Sequence, residues 1–234
     1  MTLTPDLRDA LLGVSTATLT TILLKKGLRN VWLRGTRPFR TGQGRVAGPA
    51  FTLRFVPARE DLATPASWGA PISTRAAIEA MPEGCMAVVD AMGVKDAGIF
   101  GDILAARMEK RGVAGLVTDG VMRDAAGVLG TGLKIWCDGI AAPPSVAGLT
   151  FVGWGEPIAC GGVAVFPGDT VVADDDGAVL IPQAMLAEIV PEAVEQERME
   201  GWIMEEVGRG VELPGLYPMN DATKARYAAW KAGA

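Results

Sequence analysis

The 234-residue chain contains no histidine. That removes the usual general base near neutral pH, the Ser/His/Asp triad, Cys/His chemistry and every His-bearing metal site. The three cysteines, Cys85, Cys137 and Cys160, are odd in number and widely spaced, which suits neither a disulfide framework nor a thiolate metal site. They read as core residues. Carboxylates and arginines are left to do any chemistry, and they gather in AGIFGDILAARMEKRGVAGLVTDGVMRD at 97–124, where 20 residues separate Asp102 from the pair Arg123-Asp124.

Local geometry can close that gap. Gly98 and Gly101 flank a turn, Asp102 opens a helix whose Leu104 and Met108 lie four apart, and Gly112 stops it. Ten helical residues run about 15 Å away from Asp102, and a strand over 113–119 brings the chain about 20 Å back. The free N–H groups and partial positive charge of the helix start suit a carboxylate or phosphate, and an arginine adds a planar fork for the same anion. Two carboxylates without histidine suit a hard cation such as Mg²⁺, held by few protein oxygens and several waters. A purely local arrangement satisfies the same spacing: Asp102 caps its helix, and Arg123 pairs with Asp124 or Asp119 in a turn.

The elements that must position these residues follow from pattern. CMAVVD at 85–90 is an apolar run ending in an acid, as expected of a strand buried on both faces, and VAGLVTD at 113–119 and LKIWCD at 133–138 repeat that shape. Such strands alternating with helices predict an α/β layer whose loops gather at one edge. Upstream, Ser15-Thr16, ATLTTILLKK and Gly27 read as a capped helix with a glycine stop. A strand is expected at 50–56, a loop anchored by Trp68 at 60–73 and a helix at 74–80. FPGDTVVADDDGAVLIP predicts strands at 170–173 and 178–181 around a DDDG hairpin turn; Asp174, Asp175 and Asp176 are either solvated there or hold a cation. From 183 onward the chain reads as helical, kinked near Pro191, and a final amphipathic helix carries Tyr227 and Trp230.

Composition narrows the function classes. Hydrophobic residues make up 49% of the chain, ample for a core. Twenty-two basic against 27 acidic residues give a net charge of -5, so no nucleic-acid partner is expected. Apolar runs end well short of the roughly 20 residues of a membrane span, and MTLTPDLRDALLG has no basic region followed by an apolar one; no membrane association and a cytoplasmic location are expected. With no long linker, 1–234 reads as a single domain with a C-terminal helical extension over about 183–234.

The Asp102, twenty residues, Arg123-Asp124 arrangement resembles the motif of the RraA-like family, which includes the class II 4-hydroxy-4-methyl-2-oxoglutarate aldolases. The similarity extends to GRVAGPAFTL near 44, PGDTVVADDDGAVLIP near 167 and the closing GLYP. It implies an α/β fold, a layered β/β/α domain with C-terminal helices, assembled as a homotrimer or homohexamer with sites between subunits. It implies Asp124 as ligand of Mg²⁺ (or Mn²⁺), Arg123 as contact to the pyruvoyl group, and Asp102 as the acid holding water on the metal. Gly98, Gly101, Asp102 and Ile103 would offer backbone N–H groups to the substrate carboxylate. A glutamate from the adjacent subunit's C-terminal helix, Glu195, Glu197 or Glu200 with Glu197 favoured, would complete the catalytic set with Asp102 and Arg123.

The activity so implied is cleavage of a 4-hydroxy-2-oxo acid to pyruvate and a carbonyl product, with oxaloacetate decarboxylase activity through the same enolate. Two other readings stand beside it. A Schiff-base aldolase would use Lys95 or Lys134, although neither lies in a notably apolar stretch. The family also contains non-catalytic regulators that bind ribonuclease E. A methyltransferase gains nothing, since no glycine-rich S-adenosylmethionine loop follows an N-terminal strand. Arg45, Arg54, Arg59 and Arg75 are candidates to grip a second carboxylate or a sugar-acid chain, or are surface residues.

Overall fold

A computed structural model describes residues 2–233. The chain opens with helices α1 (Pro5–Leu12) and α2 (Thr16–Lys25), the latter capped by Ser15, whose Oγ accepts from the Thr18 N–H at 3.1 Å. Short strands β1 (Trp32–Leu33) and β2 (Arg37–Pro38) precede the long β3 (Val46–Pro57), then α3 (Thr74–Ala80) and β4 (Met86–Asp90). Next come α4 (Asp102–Lys110), β5 (Gly115–Thr118), α5 (Ala125–Leu129) and β6 (Ile135–Cys137). Strands β7 (Leu149–Trp154), β8 (Ile158–Cys160), β9 (Val163–Val165), β10 (Thr170–Asp174) and β11 (Gly177–Ile181) lead to α6 (Leu186–Gly208) and α7 (Asp221–Ala232).

The sheet order is β1-β11-β10-β3-β4-β5-β6-β2, with β7 also on β3. β3 is the hinge of the architecture. Its first half pairs antiparallel with β10 and its second half pairs parallel with β4, so one strand belongs to two layers. The apolar runs explain the stacking. In β4, Met86 and Val88 face a core shared with Val171, Ala173, Ala178 and Leu180 of β10 and β11, while Ala87 and Val89 face α3 and α4. In β10 and β11 the alternate residues Val172, Val179 and Ile181 face α1, α2 and α6. Both strand layers are therefore covered on both faces, which is why their sequences lack a polar side. The three cysteines are free and buried; burial pushes the Cys85 thiol up to about 11, so it is an inert core group.

Several expectations need correction. The structure adds α1 and the strands β1, β2 and β7 to β9, which the sequence pattern does not predict. Pro191 lies inside α6, in its second turn, where the missing N–H forgoes one bond to the carbonyl four residues back. The DDDG segment is a hairpin, with Asp174 opposite Gly177, but Asp174 is neither solvated nor free for a cation. Its carboxylate accepts from the Thr16 N–H at 2.9 Å and the Thr16 hydroxyl at 2.6 Å, and pairs with Arg45 at 3.3 Å, tying α2 to the sheet. Among the described residues no single helix is long and apolar enough to cross a membrane.

Candidate functional site

The loops after β4, β5 and β6 run side by side at one edge of the sheet. Gly98 bridges Val121 on one side and Pro144 on the other, and Met122 bridges Ile140. The Arg123 N–H donates to the Phe100 carbonyl at 2.9 Å, and the Ile99 N–H to the Val121 carbonyl at 2.9 Å. These backbone bonds bring Arg123 and Asp124 beside the start of α4, where Asp102 is the first residue.

Close packing fixes the two acids. A Cβ on Gly101 would collide with Asp124 Oδ2, and a Cβ on Gly127 would collide with the Asp102 carboxylate, so each acid lies against a glycine of the opposite helix start. Asp124 has φ 53°, a left-handed backbone unusual for a residue other than glycine. That conformation, at the N-cap of α5, is the kind of local cost that clusters at functional sites.

Asp102, Ile103, Gly98, Gly101, Arg123 and Asp124 line one cavity of about 320 Å³, together with Trp68, Thr74, Arg75 and Ser145. Arg123 and Asp124 also border a neighbouring hollow of about 290 Å³ beside Ile140. A larger hollow of about 480 Å³, between α2 and Trp32, is lined by none of them. Within the cavity Arg123 Nε lies 3.1 Å from Asp124 Oδ2, with both side chains partly exposed at 33% and 44%. Asp102 Oδ1 accepts from the Ile103 N–H at 2.7 Å. Of the expected local arrangement, the Arg123–Asp124 pair is present and faces this cavity, whereas the N-cap of α4 is Gly101 and Asp102 is the first helical residue.

Among the described residues no group of three or more His, Cys, Asp or Glu could hold a metal ion. Asp102 and Asp124 both line the open cavity, and a pair of carboxylates beside open space is a donor set that suits a hard cation keeping most of its water.

Glu197, Glu195 and Glu200 do not line this cavity in their own chain. Glu197 accepts from the Ser15 N–H at 2.7 Å, at the start of α2. Burial pushes its carboxyl up, but the Ser15 N–H, the Ser15 and Thr18 hydroxyls and Arg45 outweigh that and hold it below its ordinary value. Glu195 accepts from the Tyr227 hydroxyl at 3.0 Å and from Lys231 at 2.6 Å, and Glu200 from Gln196 at 2.7 Å. Since its folded-state pKa is depressed, Glu197 contributes stability that is present above 4.5 and lost as pH falls through the lower folded value. Glu197→Gln is expected to lower stability at neutral pH by about 1–2 kcal/mol, with the difference from wild type shrinking in urea melts below pH 4.5. A gap that stays constant into acid would show that the charge of Glu197 contributes nothing.

Lys95 pairs with Asp138 at 2.6 Å on an exposed side chain, and neither Lys95 nor Lys134 borders the cavity. Two residues the sequence named for other purposes do border it. Trp68, read as a loop anchor, and Arg75, one of four candidate arginines, stand opposite the start of α4. Their approach depends on how the 60–73 loop folds, and no spacing in the sequence encodes that.

Comparison with known proteins gives the same region a family context. The chain is 38% identical to Streptomyces coelicolor RraAS2, described as an unusual member of the RNase ES inhibitor RraA protein family, with TM-score 0.76 over 85% of this chain and 96% of that one. An uncharacterized protein from Pseudomonas syringae pv. tomato superposes with TM-score 0.79 at 25% identity, over 93% and 99% of the two chains. A Halalkalibacterium halodurans protein named "Putative 4-hydroxy-4-methyl-2-oxoglutarate aldolase" is 32% identical over 155 residues, 65% of this chain and 67% of that protein. Protein DlpA of Legionella pneumophila is 27% identical over 190 residues, 81% of this chain but only 30% of DlpA. The family model described as Aldolase/RraA matches residues 4–180, a span that contains both strand layers and the Asp102, Arg123 and Asp124 cavity, and the chain therefore belongs to the RraA-like family.

Proposed function

We propose that this protein is a divalent-metal-dependent aldolase that cleaves a 4-hydroxy-2-oxo acid to pyruvate and a carbonyl product, with oxaloacetate decarboxylation as a side activity. The observation that carries the reading is the convergence of Asp102, Arg123 and Asp124 on one cavity at the start of α4. Mg²⁺ or Mn²⁺, held by Asp124, would supply Lewis acidity to the 2-oxo group.

The protein's own groups account for the rest. The first-turn N–H groups of α4 face the C1 carboxylate. Asp102 holds the path by which the C4 hydroxyl loses its proton. As the C3–C4 bond breaks, its electron pair becomes the enolate C2–C3 double bond, and negative charge moves onto the C2 oxygen beside Arg123. That charge grows only during cleavage, so the guanidinium acts mainly on the transition state. Protonation at C3 then gives pyruvate. Assembly as a homotrimer or homohexamer, with a C-terminal glutamate of one subunit reaching the next, is part of the same proposal.

The purified protein is expected to release pyruvate from a panel of 4-hydroxy-2-oxo acids and from oxaloacetate with Mg²⁺ or Mn²⁺, and to lose this on chelation. No metal-dependent pyruvate from any of them overturns the reading. The 38% identity to RraAS2 favours a second reading, a regulator that binds ribonuclease E. Under the aldolase reading Mg²⁺ raises the melting temperature when pyruvate or oxalate is present; a regulator has no reason to respond.

A further inference from the structure

Four arginines were open to a second anionic group of the substrate, and three are committed elsewhere or face away. Arg45 pairs with Asp174 and donates to the Leu12 carbonyl, and Arg59 pairs with Asp61 at 2.5 Å. Arg54 lies on β3 opposite Asp90 and borders none of the described cavities around Asp102. Arg75 alone shares the 320 Å³ cavity with Asp102, Arg123 and Asp124.

Its surroundings leave its charge unspent. Arg75 is the second residue of α3, and its guanidinium carbon sits 5.1 Å from the centroid of the Trp68 ring. An i, i+4 partner exists in Glu79, but both Glu79 oxygens accept from Arg107 at 2.7 Å, and Arg111 lies at 3.1 Å. Among the described residues Arg75 has no carboxylate within ion-pair distance. A guanidinium laid on an indole face keeps its N–H edges free and loses less freedom when a carboxylate arrives. The cavity's volume is at the small end for ligand sites, so an anion gripped there belongs to the same small molecule whose reacting end lies at Arg123.

Resting on the aldolase reading, we propose that Arg75, braced by Trp68, is the specificity-determining residue for the carbonyl-product half of the substrate and selects 4-hydroxy-2-oxo acids bearing a second carboxylate. A neutral sugar-acid chain would leave this arginine without a partner. Arg75 touches no reacting atom; it discriminates by binding.

The test uses unreactive probes with Mg²⁺ present, measured by calorimetry. Oxalate reports the metal and Arg123 end alone; 2-oxoglutarate and 2-oxopentanoate have equal chain length and differ by the second carboxylate. The wild type is expected to bind 2-oxoglutarate on the order of tenfold more tightly than 2-oxopentanoate. Arg75→Gln should abolish that preference while leaving oxalate affinity within about twofold, and Arg75→Lys should retain part of it. Oxalate binding with no preference in the wild type, or a preference that survives Arg75→Gln, overturns this inference and leaves the aldolase reading intact. Failure of the wild type to bind oxalate at all overturns the aldolase reading instead, and this inference with it.

Discussion

Arg123→Ala is expected to lower kcat and kcat/KM together by roughly 10²–10³-fold in metal-dependent pyruvate release, the usual effect of deleting one donor aimed at a developing oxyanion. Among the described residues Arg123 has one ionic partner, Asp124 at 3.1 Å, and both side chains are partly exposed. Such a pair contributes at most about 1 kcal/mol to folding, so the melting temperature should scarcely move. The split between kinetic constants is the informative part. An arginine that only clamps the ground-state carboxylate would raise KM and spare kcat. One that meets the C2 oxygen as charge arrives lowers kcat and leaves KM nearly unchanged. Arg123→Lys keeps the charge but loses the planar fork and should recover only a fraction of the rate. Full activity in Arg123→Ala would reduce Arg123 to a partner for Asp124 and remove the main support for the proposed mechanism.

What could be read from the sequence, and what could not, divides along physical lines. Strands β4, β5 and β6 announced themselves because each is buried on both faces, which leaves an unbroken apolar run. β1, β2 and β8 carry no such run: β1 and β2 are two residues long with an exposed member, and β8 alternates over only three, too short for any period to register. The acids that close those runs looked equivalent, yet they divide. Asp90 and Asp119 turn toward the β8-β9 hairpin, accepting from the Ala159 and Gly161 N–H groups, whereas Asp138 meets Lys95. Asp119 is held above its ordinary value first by burial, with Asp90 adding to it. None of the three lines the cavity that Asp102, Arg123 and Asp124 share.

The return of the chain from Asp102 to Arg123 was legible because helix and strand lengths set it, and the observed helix of 9 residues is close to the ten assumed. The left-handed backbone at Asp124 was not legible. At that N-cap the Asp124 carboxylate lies against Gly101 and the Asp102 carboxylate against Gly127, contacts between elements that have no local signature. Glu197 shows the converse: it is favoured among three glutamates of a Glu-rich helix, yet its contact with the Ser15 N–H of its own chain is a tertiary one that no helix spacing encodes.

The role of backbone approach in holding Arg123 leads to the second large effect. Gly98 stands between two bridged loops, and a Cβ built on it would lie 2.6 Å from Arg123 Cβ and 3.0 Å from both the Arg123 N and the Ala141 carbonyl oxygen. Its φ is one that alanine adopts without strain, so space alone is at issue. Two of the three neighbours are backbone atoms and cannot rotate away; relief requires the 121–124 loop to shift. Displacing a positioned group by around 1 Å is enough to cost about 10²-fold, and overpacking of this kind destabilises by roughly 1–3 kcal/mol. Gly98→Ala is therefore expected to lose about two orders of magnitude in kcat/KM, measured well below its melting temperature, while still folding. Gly201→Ala is the matched control: it lies in α6 and, its own stretch of helix aside, nothing lies within 4 Å of the added carbon, so alanine there should be neutral or stabilise by up to about 1 kcal/mol. Wild-type rates in Gly98→Ala would mean that the loop tolerates movement, and that Arg123 does its work without the tight register these three loops impose.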